Sequence, residues 1–150
     1  MIVRACPTYK KLLRECFATD KALLEQWHID AGKGLKACVN RTYSDMRKSR
    51  GLTVFGVYSG EAEILVGYFG RETTKFGQFL SGFFLLPEYR TRAGKEQFWA
   101  CVRTKFEGKF ACGLYDKNEP AKSFIRKCGG IELQRGTFKG DRFVIYGLEA

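Results

Sequence analysis

The sequence predicts a mixed α/β domain, one sheet with helices on its faces, in the order β-α-α-β-β-β-α-β-α-β-β. Three observations carry that expectation. Amphipathic segments of helical period fill the stretch before residue 51. Three β-branched and aromatic runs then follow one another up to residue 86. Beyond them helical and strand-like segments alternate, and the chain closes on two strand-like runs.

Taken in order, IVRAC (2–6) reads as a short first strand. Pro7 and Thr8 open a helix through YKKLLRECF, and Thr19 and Asp20 offer a cap for a second segment, KALLEQWHI, which Gly32 and Gly34 break. LKACVNRTYSDMRKSR (35–50) is a further amphipathic helix, stopped by Gly51. LTVFGVYS and EILVGYFGRET form a hairpin around Ser59-Gly60-Glu61. GQFLSGFFLL (77–86) is apolar almost throughout, as expected of a strand buried on both faces in mid-sheet.

A loop leads to a helix near residues 95–106, where Phe98, Trp99, Val102 and Phe106 share one face. KFACGLYDKN (109–118) is a strand ending in turn residues. EPAKSFIRKC is a short helix with Pro120 in its first turn and Gly129-Gly130 as its stop. IELQRGTF and RFVIYGLE form the last antiparallel pair, turned at Lys139-Gly140-Asp141.

With 150 residues, 45% of them hydrophobic and 13 of them Phe, the chain is one domain with a real core. It has no apolar run near the roughly 18 residues of a membrane span. The N-terminal MIVRACPTYKKLLREC lacks an apolar signal core, so the expected address is the cytoplasm. Six cysteines lie at unrelated spacings, without a Cys-x-x-Cys pair, and the single histidine, His28, sits near none of them. Free thiols are expected, and no metal site. The net charge of +10 points to an anionic partner such as a phosphorylated cofactor, or simply to a solvated surface. No basic repeat interleaved with aromatics supports a nucleic-acid partner.

LLPEYRTRAGKEQFW (85–99) carries the functional signal. An apolar strand hands over to a helix N-terminus, where unpaired amides and the helix dipole favour an anion. Three features together resemble the GNAT superfamily of N-acetyltransferases over essentially the whole chain: this loop, the hairpin VFGVYSGEAEILVGYFG, and the helix NEPAKSFIRKCGG, in which Asn118, Ala121, Lys127 and Gly129 keep the family's spacing.

The resemblance implies that acetyl-CoA lies in a gap between the fourth and fifth strands. It would be held by the end of the fourth strand (Leu85, Leu86), by the loop residues Arg90, Thr91, Arg92, Ala93, Gly94 and Lys95, and by Asn118. It also implies an amine or protein acceptor, a general base, and a tyrosine that protonates the departing thiolate.

The sequence departs from the pattern twice. Ala93 and Lys95 stand where the family's phosphate cradle has glycines, with Gly94 displaced by one. Ile125 stands where the leaving-group tyrosine belongs, which makes Tyr115 the nearest phenol. The fourth strand offers Gln78 and Ser81 but no carboxylate, so Ser81 is the catalytic candidate there. Glu61, Glu63, Glu72 and His28 are bases by default, and Cys128 is read as packing.

The same erosion is similar to that of small acetyltransferase-like proteins of short-tailed phages, a looser likeness confined mainly to the C-terminal half. It implies a catalytically inactive binding or assembly protein, located in a host's cytoplasm. The last strands are further expected to be able to pair across a homodimer.

Overall fold

The β-branched and aromatic runs become seven strands: β1 (Ile2–Ala5), β2 (Leu52–Tyr58), β3 (Leu65–Thr74), β4 (Gly77–Leu85), β5 (Lys109–Tyr115), β6 (Ile131–Phe138) and β7 (Asp141–Glu149). The segments of helical period become α1 (Tyr9–Ala18), α2 (Lys21–Trp27), α3 (Leu35–Arg47), α4 (Arg92–Arg103) and α5 (Glu119–Lys127). This computed structural model describes the chain from Met1 to Ala150, except Ile29, Lys139 and the side chains of Trp27 and Phe138. The expected helical position of Ile29 and the turn position of Lys139 therefore lie outside the described residues.

The strands form one sheet in the order β1-β2-β3-β4-β5-β7-β6. Only β4 and β5 run parallel; the other neighbours are antiparallel. Helices cover both faces because each strand alternates its side chains between two apolar clusters. Under α4 and α5 lie Phe69, Leu80, Phe98, Val102, Cys112, Ile125, Val144 and Tyr146. Under α1, α2 and α3 lie Leu13, Phe17, Leu24, Val39, Val54, Tyr68 and Phe84. Among the described residues, no helix is long and apolar enough to cross a membrane.

The feature that matters most for function is a short pairing. β4 and β5 share only Phe79↔Ala111 and Leu80↔Cys112. Beyond these, β4 bulges: Phe83 pairs with Phe69 and Leu80 with Arg71, which leaves Ser81 and Gly82 across from Gly70 alone. Gly82 takes φ +94°, a region that favours glycine. The strands part here, so the expectation of a β4 buried on both faces holds for only part of it. Leu80, Phe84 and Leu85 are buried, Ser81 and Phe83 half-buried, and Gly82 exposed. Among the boundaries that differ, the start of α4 matters most: it lies at Arg92 and not 95, because the Thr91 hydroxyl accepts the Gly94 N–H at 3.1 Å and starts the helix early.

Candidate active site

The parted strands open a cleft of about 330 Å³. β4 lines it from Ser81 to Leu85, and β5 from Gly113 to Tyr115. One helical layer contributes Lys95 and Phe98 of α4 with Pro120, Ala121 and Phe124 of α5, and Asn118 stands just before α5. The other contributes Leu23 of α2, His28 just beyond it, and Arg41, Thr42, Asp45 and Met46 of α3. The cleft is therefore walled by both layers, with the sheet's opening between them.

At the start of α4 the N–H groups of Arg92 and Ala93 find no acceptor among the described residues, while Thr91 caps Gly94. These are the orphan donors of a helix N-terminus, and they favour an anion. Gly94 is buried for a local reason. A Cβ there would stand 1.9 Å from the Tyr89 carbonyl oxygen, so the glycine lets the loop fold onto its own helix. Lys95, half-buried on the cleft wall, forms no ion pair among the described residues. Arg92 points outward and pairs with Glu96 at 3.2 Å. Thr91 and Ala93 are exposed.

Arg90 is engaged inside the chain. Its Nε donates to the Leu85 carbonyl at 2.7 Å, its Nη1 pairs with Asp20, and its guanidinium stands 5.1 Å over the Phe84 ring. Asp20 in turn caps α2 by accepting the Leu23 N–H at 3.0 Å. Leu85 borders the cleft, whereas Leu86 packs with the α1–α3 cluster and gives its N–H to Val66. Sequence reasoning missed Asp20 in this role: it lies 70 residues from Arg90. It also passed over Arg41, Thr42 and Asp45, whose only signal was the polar face of an amphipathic helix.

Of the catalytic candidates, Tyr115 and Ser81 both border the cleft. Burial raises the Tyr115 phenol above its ordinary value of 10, and the carboxylates of Asp141 and Asp45 reinforce the shift. Ser81 Oγ donates to Glu72 Oε2 at 3.1 Å. Asn118, buried, accepts the Ala121 N–H at 3.2 Å and so caps α5. Ile125 is wholly buried in the core beneath α5, and Phe124 is the residue that α5 turns toward the cleft there.

His28 Nδ1 accepts the Asp30 N–H at 3.0 Å, which leaves the ring proton on Nε2, 2.9 Å from Thr42 Oγ1. Burial holds its pKa below 6.5. This is a neutral imidazole whose bonds tie it into the α2–α3 wall. Glu63 pairs with Arg4, and Glu61 is exposed. Burial pushes the Cys128 thiol up to about 11, too high for a thiolate nucleophile near neutral pH.

A sheet parted between its parallel strands, with a helix N-terminus at the gap, is the architecture of the GNAT acetyltransferases, and the chain has that fold. It superposes on a probable GNAT-family acetyltransferase from Chromobacterium violaceum with a TM-score of 0.70 at 13% identity, covering 98% of this chain and 81% of that one. The acetyltransferase from Salmonella typhimurium that modifies the N-terminal serine of ribosomal protein L7/L12 matches at 0.65 and 12%, over 99% and 94%. The Vibrio cholerae spermidine N-acetyltransferase, solved with CoA and spermine, also matches at 0.65 and 12%, over 99% and 94%. At the level of sequence, no family model matches and no curated protein does.

Proposed function

We propose that this protein is an acyl-CoA-dependent N-acyltransferase that moves an acetyl group from acetyl-CoA to an amine. The observation that carries the reading is the parting of β4 and β5 after two residue pairs, beside a helix whose first two amides lack acceptors among the described residues. The residues present suit the cofactor. The Arg92 and Ala93 amides and the Lys95 ammonium would hold its phosphates, and the free backbone of the parted strands would pair with its amide-bearing arm. Acetyl-CoA supplies an acyl group activated as a thioester.

The chain's part is to orient the reactants and move protons. The acceptor amine enters on the α2–α3 side. Ser81 Oγ would take the proton that the amine gives up and pass its own to Glu72 Oε2, to which it already donates. The Tyr115 hydroxyl, kept protonated by its surroundings, would supply the proton that the leaving sulfur needs.

A second reading, a GNAT-fold protein that binds or assembles without transfer, draws on Ile125 in place of a phenol and on Arg90 being committed to Asp20. Calorimetric titration with acetyl-CoA separates the two, with ATP as the control for simple anion attraction. Micromolar binding that ATP does not match, followed by turnover on a panel of amines, supports the enzyme. Absence of binding at millimolar acetyl-CoA, from protein shown to be folded, ends that reading.

A further inference from the structure

One side of the cleft holds a phenol that the chain itself does not use. Tyr68 lies on β3 between Gly56 and Phe84 of the neighbouring strands, and only 3% of it is exposed. Its ring runs parallel to that of Phe84, with 6.5 Å between centroids, and leans on Phe17 at the same distance. Burial keeps the phenol un-ionised, and its hydroxyl makes no hydrogen bond among the described residues. Ser49 Oγ, Arg71 Nε and Tyr146 Oη also lack partners, but each of those atoms is sealed from solvent. Tyr68 instead borders the cleft, on the side walled by α2 and α3. A buried hydroxyl without a partner is costly, and one that opens on a cavity is matched by whatever fills the cavity.

The rest of that side is apolar where the sheet meets the helices. Leu23 of α2, Met46 of α3 and Phe84 of β4 line it and pack in one cluster with Tyr68. A thioether and aromatic rings favour a flat ring among them. The charges on this side are already matched. Arg41 Nε holds Asp45 at 3.1 Å, and Arg41 Nη1 stands 3.8 Å from Asp30. Lys48 and Lys33 reach the same two carboxylates at 3.8 and 3.5 Å. Two carboxylates that face three cations leave nothing for the further ammonium groups of a polyamine.

We propose that the acceptor is a monoamine whose aromatic body carries a hydroxyl, seated against Leu23, Met46 and Phe84 with that hydroxyl on Tyr68. This rests on the N-acyltransferase reading and specifies its substrate. A phenol both donates and accepts, so either member of the pair can supply the proton. The amino arm then lies along β4 toward Ser81, which borders the same cleft.

Calorimetric titration of the full chain with tyramine, phenethylamine and spermidine, with and without CoA, tests the seat without requiring turnover. Tyramine and phenethylamine differ by one hydroxyl. Tyramine is expected to bind about tenfold more tightly than phenethylamine, and spermidine more weakly than either. Tyr68→Phe should erase the advantage of tyramine. Circular dichroism and Tm should stay at wild-type values, because the lost hydroxyl has no partner among the described residues. Met46→Ala should weaken both aromatic amines together. An unchanged ratio of the two in Tyr68→Phe, tighter binding of spermidine than of both, or no binding to folded protein would each overturn the proposal. Binding in the expected pattern with no acetylation from acetyl-CoA would end the N-acyltransferase reading and leave the seat standing. Acetylation of spermidine in preference to tyramine would do the reverse.

Discussion

The proton on Tyr115 is held in place by its surroundings. Burial and the nearby Asp141 and Asp45 oppose the phenolate, while Arg41 pulls weakly the other way. A raised pKa keeps the acid form present through neutral and mildly alkaline pH, as the proposed donation to a thiolate requires. Tyr115→Phe is therefore expected to lower kcat by roughly 10²–10⁴-fold with little change in KM for acetyl-CoA. Steady-state kinetics checks this, and an unchanged kcat would take Tyr115 out of the chemistry. His28 gives a stability prediction of the opposite sense. Its folded pKa lies below its ordinary 6.5, so the folded state binds fewer protons than the unfolded chain between those two values. The resulting stability is fully present above about pH 6.5 and is lost as pH falls through the folded pKa. Urea unfolding at pH 7.5 and 5 should show a larger loss for the wild type than for His28→Asn. Equal losses would mean that the ring's bonds to Asp30 and Thr42 do not depend on its being neutral.

At the scale of elements, the α2 cap and the end of β4 are joined by one pair of side chains. Asp20 gives one oxygen to the Leu23 N–H and the other to Arg90, which also binds the Leu85 carbonyl. Asp20→Ala removes a cap worth about 0.5–2 kcal/mol and leaves Arg90 without its carboxylate. Lower stability on chemical denaturation is expected, as it is for Arg90→Ala. Lys95→Ala should behave differently. With no ion pair among the described residues to lose, it should keep wild-type stability while weakening acetyl-CoA binding by about tenfold. If Arg90→Ala weakens the cofactor and spares stability, the two roles are reversed. Most elements were readable from the sequence because each has a local signature: the β-branched and aromatic run LTVFGVYS, the proline-opened and glycine-stopped α5, and the strand IELQRGTF, which matches β6 residue for residue. The site was readable only in outline. The hand-over from β4 to α4 was visible, but the use of Gly94 to admit the Tyr89 carbonyl depends on how a loop folds back. Arg90's partner is remote in sequence, and the inward turn of Ile125 depends on the phase of α5 against a core that no local pattern specifies.

For the whole molecule, the β4–β5 seam is the sheet's thinnest joint. β3 meets β4 through seven residue pairs and β5 meets β7 through seven, yet β4 meets β5 through two. What holds the halves together beyond that seam is the helical layer, chiefly Phe98, Trp99 and Phe124, whose rings pack on one another and on Phe83 of β4 and Phe110 of β5. A ligand arm lying in the gap would act as a missing strand, giving partners to the amides on both sides. Its binding energy should therefore appear as stability of the whole domain, because it would bridge the two halves of the sheet across their shortest pairing. At a hundredfold excess over its Kd, acetyl-CoA is expected to add about 2.7 kcal/mol, or roughly 5–10 °C in Tm for a chain of this size. Hydrogen exchange supplies the location: slowing should concentrate at Ser81–Leu85, at Gly113–Tyr115 and in the first turn of α4. Stabilisation of that size with exchange unchanged at the seam would place the ligand elsewhere on this basic surface and remove the gap from the binding site.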